Sequence, residues 1–141
     1  MELCRQSELI EVRRAENRGK GGRGVFAIRD IAAGTVFERV PVLLVPKSQV
    51  FATEPDAPSP APAISWYVFD WDGMTKRDYV ALALGYGTIY NHSYEPNARY
   101  RREPPDVLEF VALRDIRGGE EILINYHGEP DDRRGVEFEV R

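Results

Sequence analysis

Most of this chain reads as short strands, marked either by apolar and charged residues in alternation, which sends successive side chains to opposite faces, or by β-branched and aromatic runs. Residues 9–13 follow the alternation, and residues 25–28, 35–40 and 42–45 are β-branched or aromatic runs broken by Gly34 and Pro41. Residues 107–113 and 121–126 are predicted as a further strand pair. Between them Arg117-Gly118-Gly119-Glu120 is turn material, because glycine accepts a positive φ at little cost. One stretch has helical spacing instead. Thr75 would N-cap a short helix over 76–84, with Tyr79, Leu82 and Ala83 on its buried face and Gly85 ending it. Residues 52–63 carry four of the ten prolines and nothing that could build a core, so they read as an exposed loop inserted in the domain. An aromatic group follows: Trp66, Tyr67, Phe69 and Trp71. The expectation is a mainly β single domain over 1–141, with one or two short helices and a C-terminal tail over 127–141.

The chain also echoes itself. Ala27-Ile28-Arg29-Asp30-Ile31-Ala32-Ala33-Gly34 and Ala112-Leu113-Arg114-Asp115-Ile116-Arg117-Gly118-Gly119 share the pattern A-[I/L]-R-D-I-x-x-G between two strands. Two copies are too few for a solenoid. They predict two similar hairpins, related by a local pseudo-symmetry, on either side of a different central segment.

Composition narrows the function. The 141 residues are 43% hydrophobic and 30% charged with a net charge of −4, which suits one soluble, intracellular domain. No apolar run approaches the roughly 20 residues needed to span a bilayer, and the first residues lack a signal-peptide pattern, so no membrane partner is expected. Mild acidity argues against direct nucleic-acid binding, which needs a dense basic face. Beyond residue 30 the chain holds 12 Lys and Arg against 18 Asp and Glu, a balance that suits a basic peptide. Cys4 is the only cysteine, so neither an internal disulfide nor a cysteine-rich zinc cage can form within one chain.

Three clusters could carry chemistry. Lys20-Gly21-Gly22-Arg23-Gly24 leads into a strand and lets backbone N–H groups approach a ligand closely, yet it is no nucleotide-binding loop. Taken by itself it reads as a flexible turn. Asn91-His92-Ser93-Tyr94-Glu95-Pro96-Asn97 follows an apolar segment, where polar side chains must find partners if buried. His92 and His127 are the only histidines, so no metal site is expected, and no Gly-x-Ser-x-Gly elbow surrounds Ser93. Glu120-Glu121-Ile122-Leu123-Ile124-Asn125-Tyr126 is a strand ending on a tyrosine whose ordinary pKa near 10 makes it a hydrogen-bonding group rather than a base at neutral pH.

In this order and spacing the clusters resemble the SET domain, a family of protein-lysine methyltransferases that use S-adenosylmethionine, and the similarity runs from about residue 11 to 126. Gly22-Arg23-Gly24 resembles its opening G-x-G, Asn91-His92-Ser93 with Pro96-Asn97 its N-H-S-x-x-P-N, and the segment ending at Tyr126 its G-E-E-L-T-x-x-Y. The short length and Leu84-Gly85-Tyr86-Gly87 look closest to minimal viral and bacterial members. The resemblance implies a β-clip of small sheets with the two late motifs threaded as a pseudoknot. It implies that backbone groups of Gly22, Arg23 and Gly24 hold the methionyl part of S-adenosylmethionine. By the same likeness the Asn91 side chain lies near the cofactor's amino group, and the His92 main chain reads the adenine edge. Tyr126 would be the catalytic tyrosine and Tyr100 would line the narrow lysine channel, with Tyr86, Tyr67 and Ile124 as further channel candidates.

Two functions follow for a partner that is a lysine-bearing protein or peptide, histone or other. One is lysine N-methylation; the alternative is a catalytically silent SET-like module that only binds peptide or protein. Tyr126 together with the intact Asn91-His92 pair favours the enzyme, since a pure binder requires neither. The chain departs from the family in lacking a tyrosine near Val40 and a cysteine-rich zinc module after the domain. The C-terminal tail, with Phe138, or a second subunit would then have to close the channel, and a homodimer is expected.

Overall fold

The structure is a computed structural model that describes residues 4–15, 22–46, 48, 67–71 and 79–131. Within these residues the strands, in chain order, are β1 (Ile10–Arg14), β2 (Arg23–Ala27), β3 (Val36–Pro46), β4 (Val68–Asp70), β5 (Tyr79–Ala83), β6 (Asn91–His92), β7 (Ala98–Glu103), β8 (Val107–Ala112) and β9 (Glu121–Ile124). One sheet has the order β1-β2-β9-β6 and the other β4-β5-β3-β8-β7. Every strand pair is antiparallel except β6 with β9, which run parallel. No helix among the described residues is long and apolar enough to cross a membrane. The proline-rich loop, Lys20, Gly21, Trp66, residues 76–78 and Phe138 lie outside the described residues.

Three sequence expectations change. The segment expected as a helix over 76–84 is strand β5 where it is described, because its Tyr-Val-Ala-Leu-Ala run fits the slot between β3 and β4. Tertiary pairing overrides the helical spacing here, although Gly85, at φ +59°, still ends the element. Residues 35–40 and 42–45 are not two strands but parts of one, β3, running through Pro41. The proline is tolerated because the strand changes partners there: Val36 to Pro41 lie along β8, and Val42 to Pro46 along β5. Finally, residues 107–113 and 121–126 do not pair with each other. β8 sits between β3 and β7, and β9 between β2 and β6.

The predicted internal symmetry is visible in the hydrogen bonds. Ile31 and Ile116 exchange both backbone bonds, at 2.7 and 2.8 Å. Gly34 N–H donates to Ala112 O at 2.8 Å, and Gly119 N–H to Ala27 O at 2.7 Å. Ala112 N–H donates to Thr35 O, and Ala27 N–H to Glu120 O. Even the side chains reciprocate: Ala33 N–H donates to Asp115 Oδ1 at 2.8 Å and Gly118 N–H to Asp30 Oδ1 at 2.9 Å. Each A-x-R-D-I-x-x-G turn therefore caps the other. The likeness extends to the strands, since β1 pairs with β2 as β7 pairs with β8.

The core fills the space between the sheets. Ile31 and Ile116 are enclosed beneath the turns, and Ile122, Ile124, Val25 and Leu108 are fully buried with them. Tyr90 stacks on Phe110 with ring centroids 4.4 Å apart, and Phe69 meets Tyr100 edge-on at 4.6 Å. Glu109 is buried on β8 and is ion-paired across the sheet with Arg39 on β3 and Arg101 on β7, so its charge is neutralised from both sides.

Because the aspartate caps are reciprocal, Asp30→Ala and Asp115→Ala are expected to destabilise the fold by similar amounts, about 1 kcal/mol each for an exposed side-chain cap. Denaturant midpoints at constant m-value measure this; a loss confined to one site would break the reciprocal arrangement.

Candidate active site

β9 brings the separate motifs together. On one side it pairs with β2, Val25 against Ile122 and Phe26 against Glu121. On the other it pairs with the two residues of β6, Asn91 against Leu123 and His92 against Ile124. So short a strand is extended by its neighbours. Ser93 N–H donates to Ile124 O at 2.9 Å, and Asn97 N–H to Leu123 O at 3.2 Å. The Asn97 side chain donates from Nδ2 to Glu121 O at 2.9 Å and accepts at Oδ1 from Leu123 N–H at 2.8 Å, standing in for a strand neighbour. An asparagine amide can do this because it carries a donor and an acceptor side by side, as a peptide unit does.

Asn91, Gly24 and Glu121 form one tight group. Asn91 Nδ2 donates to Arg23 O at 2.8 Å and to Glu121 Oε2 at 2.7 Å. Both of its amide hydrogens face acceptors, which fixes the orientation of the group: the reverse would set oxygen against oxygen. Asn91 Oδ1 is thereby turned away from these two acceptors and is suited to accept from a cationic N–H donor. Gly24 leaves no room for a side chain, since a Cβ there would collide with the Glu121 carboxylate and lie 3.1 Å from Asn91 Nδ2. Gly22, by contrast, has φ +66° and open space above it.

Tyr126 follows β9 and is held at three points. Its N–H donates to His92 Nδ1 at 3.0 Å, its carbonyl accepts from the Tyr100 hydroxyl at 3.1 Å, and its own hydroxyl donates to Tyr90 O. Its ring meets the His92 ring edge-on at 5.1 Å. Burial drives the Tyr126 pKa well above the usual tyrosine range, and nearby Tyr67 and Glu121 push the same way, so the hydroxyl remains a neutral donor. Beyond Tyr126 the chain turns at once: His127 N–H donates to Asn125 Oδ1, and Gly128, at φ +96°, passes over Tyr100 so closely that a Cβ would come within 3.1 Å of its hydroxyl.

The sequence-predicted residues thus separate into groups. Arg23, Gly24, Asn91, His92 and Tyr100 lie on β2, β6 and β7, with Gly22 just before β2 and Tyr126 two residues past β9, and hydrogen bonds join Asn91 to Arg23 and Tyr126 to His92 and Tyr100. Tyr67 lies within electrostatic reach of Tyr126. Tyr86 sits elsewhere: its hydroxyl meets Gln6 Nε2 at 3.4 Å, beside a cleft of about 320 Å³ bordered by Cys4, Val40 and Pro41. Ile124 is fully buried among core side chains. Two contributors went unpredicted. Glu121 orients Asn91, and in the sequence it appears only as one member of the Glu120-to-Tyr126 cluster. The His92 imidazole clamps Tyr126, and no sequence spacing marks a contact across 34 residues. Among the described residues no group of three or more His, Cys, Asp or Glu could hold a metal ion.

The comparisons point to one family. The SET domain family profile matches residues 22–127. A curated relative in Schizosaccharomyces pombe, a histone-lysine N-methyltransferase specific for H3 lysine-37, is 30% identical over 118 residues, covering 83% of this chain and 72% of its own. A crystal structure from Plasmodium falciparum, described as a candidate histone methyltransferase, superposes with a TM-score of 0.60 at 25% identity, covering 85% of this chain and 98% of the other. The chain belongs to the SET domain family. With it comes the reaction class these relatives support, methyl transfer to protein lysine.

Gly24→Ala is expected to push the Glu121 carboxylate off Asn91 while leaving the strand paired. In ¹H–¹⁵N spectra the Asn91 side-chain amide pair should shift markedly while the Asn97 pair stays in place; an unmoved Asn91 pair would contradict the packing around Gly24.

Proposed function

We propose that this protein is an S-adenosylmethionine-dependent protein-lysine N-methyltransferase acting on a basic, lysine-bearing protein segment such as a histone tail. The observation that carries this reading is the convergence of Gly24, Asn91 and Tyr126 on a single hydrogen-bonded patch around β9. The patch suits the cofactor's chemistry: an oriented Asn91 Oδ1 and the Glu121 carboxylate favour an ammonium and a sulfonium, and the open backbone at Gly22 leaves room beside the strand. In this reading Gly22, Arg23 and Gly24 with Asn91 hold the methionyl end, and the His92 main chain meets the adenine. When bound, S-adenosylmethionine supplies a methyl group activated by its positive sulfur.

The protein's own part is alignment and desolvation. A substrate lysine has a pKa near 10.4 in water and must be neutral to accept a methyl group. A channel walled by Tyr126, Tyr100 and Tyr67 disfavours the ammonium and lowers that pKa. Tyr126 is unsuited to act as the base, because burial keeps its hydroxyl protonated; it orients the amine instead. The lysine proton leaves to solvent before transfer. Aromatic walls also accommodate the cationic methylated product.

Isothermal titration should detect S-adenosylmethionine binding to the wild-type protein, weakened roughly tenfold or more by Asn91→Ala, which removes an oriented polar group. Transfer of labelled methyl to a histone-derived peptide should be lost in Tyr126→Phe, while cofactor binding persists. A protein that binds peptide but neither cofactor nor methyl would be a silent binding module. The sign of the pH dependence follows from the groups involved. Activity should climb as pH rises and the lysine loses its proton. No falling limb from Tyr126 should appear up to about pH 10, the ordinary tyrosine pKa, since the hydroxyl's own value lies above it. A rate profile that turns down near neutral pH would assign Tyr126 a different role.

A further inference from the structure

Glu38 is a buried carboxylate on β3, 6% exposed, in a chain position with no part in the site described above. Its two oxygens are both engaged by the loop that leads into β6. Oε2 accepts from Tyr86 N–H at 3.0 Å and Oε1 from the Tyr90 hydroxyl at 2.8 Å. The loop is built to receive it. Gly85 adopts φ +59° and lies so close that a Cβ would stand 2.8 Å from Glu38 Oε2 and 2.5 Å from Val40 Cγ1. Tyr90 is gripped from the ring side as well, stacked on Phe110 at 4.4 Å and edge-on to Phe37 at 6.1 Å. At the far end of the same residue, the Tyr90 carbonyl accepts the Tyr126 hydroxyl. Thus one residue has its phenol fixed by Glu38 and its carbonyl fixed on Tyr126.

We propose that Glu38 is a positioning residue for Tyr126: it ties down the 85–90 loop so that the Tyr90 carbonyl holds the Tyr126 hydroxyl in a single direction. The proposal deepens the methyltransferase reading and rests on it for the consequence at the level of turnover. Burial is the largest influence on the Glu38 carboxyl and raises its pKa against the pull of its two hydrogen bonds, which marks the group as costly to retain for packing alone. An apolar residue of similar size would fill the space without that cost but leave the Tyr86 N–H and the Tyr90 hydroxyl without an acceptor. A glutamine would keep both bonds. Its Oε1 accepts from Tyr86 N–H, and its Nε2 donates to the Tyr90 hydroxyl oxygen, which can reverse its role.

The test uses the full chain labelled with fluorotyrosine. The Tyr126 ¹⁹F resonance is the one missing from Tyr126→Phe. In Glu38→Leu and Tyr90→Phe that resonance is expected to move or broaden, and in Glu38→Gln to stay at its wild-type position. Turnover with a histone-derived peptide, normalised to the number of cofactor-binding sites from titration, should fall roughly tenfold in Glu38→Leu and about threefold in Tyr90→Phe. It should stay within about 1.5-fold of wild type in Glu38→Gln, with cofactor affinity unchanged throughout. If Glu38→Leu does not fold, Tyr90→Phe and Glu38→Gln carry the comparison. A Tyr126 resonance indifferent to Tyr90→Phe, or a Glu38→Gln variant as damaged as Glu38→Leu, overturns the proposal. Should the wild type neither bind cofactor nor transfer methyl, the methyltransferase reading fails, and the resonance comparison still decides whether Glu38 positions Tyr126.

Discussion

The site exists because β9 is held from both edges. Four residues of strand are too few to hold a position in water without neighbours, and each edge of β9 is bonded by a different part of the chain. β2 supplies one edge, and with it the glycines that open the sequence motif. β6, only two residues long, supplies the other, and the Asn97 side chain completes that ladder where the main chain runs out. Three motifs far apart in sequence become neighbours because backbone donors and acceptors cannot be left unpaired in the interior. The tyrosine at the end of β9 then inherits its place from the strand, and the His92, Tyr100 and Tyr90 contacts reduce the freedom that remains.

Electrostatics at this centre keeps the phenol neutral. The Glu121 carboxylate fixes Asn91 and also helps keep the Tyr126 proton in place. A fixed negative group beside the glycine turn and an uncharged hydroxyl beside a carbonyl make a polarised slot, rather than an acid–base pair. That arrangement suits the proposed reaction, in which a neutral amine accepts a methyl group.

Much of this was legible in the residues. Strand β1 follows from period-two alternation, β2, β8 and β9 from short runs rich in β-branched, aromatic and other apolar residues, and the paired turns from the repeated A-x-R-D-I-x-x-G. What alternation cannot express is which strand lies beside which. Residues 107–113 and 121–126 look like a hairpin because they are adjacent with a good turn between them, yet that turn is spent on pairing with Ile31 rather than on folding the two strands together. The Tyr-Val-Ala-Leu-Ala run was misread for a related reason: its apolar spacing fits a helix, and only the neighbouring β3 and β4 make it a strand. At the site, motif residues could be named in advance, whereas Glu38 and the His92 imidazole act through contacts to residues 34 to 52 positions away, which no local pattern records.

The reciprocal caps between the two turns have a kinetic consequence. Asp30 reaches Gly118 across 88 residues and Asp115 reaches Ala33 across 82, so neither turn is complete until a long central span of the chain has closed on itself. Loop closure of that length is paid in chain entropy before any contact repays it, and folds dominated by such distant pairings assemble slowly. Local structure can form early in each half, but the joining of the halves is the late event, and β9 is positioned by that same event. Assembly of the fold and assembly of the site are therefore one step: a chain caught partway through folding would hold its motifs without holding its chemistry.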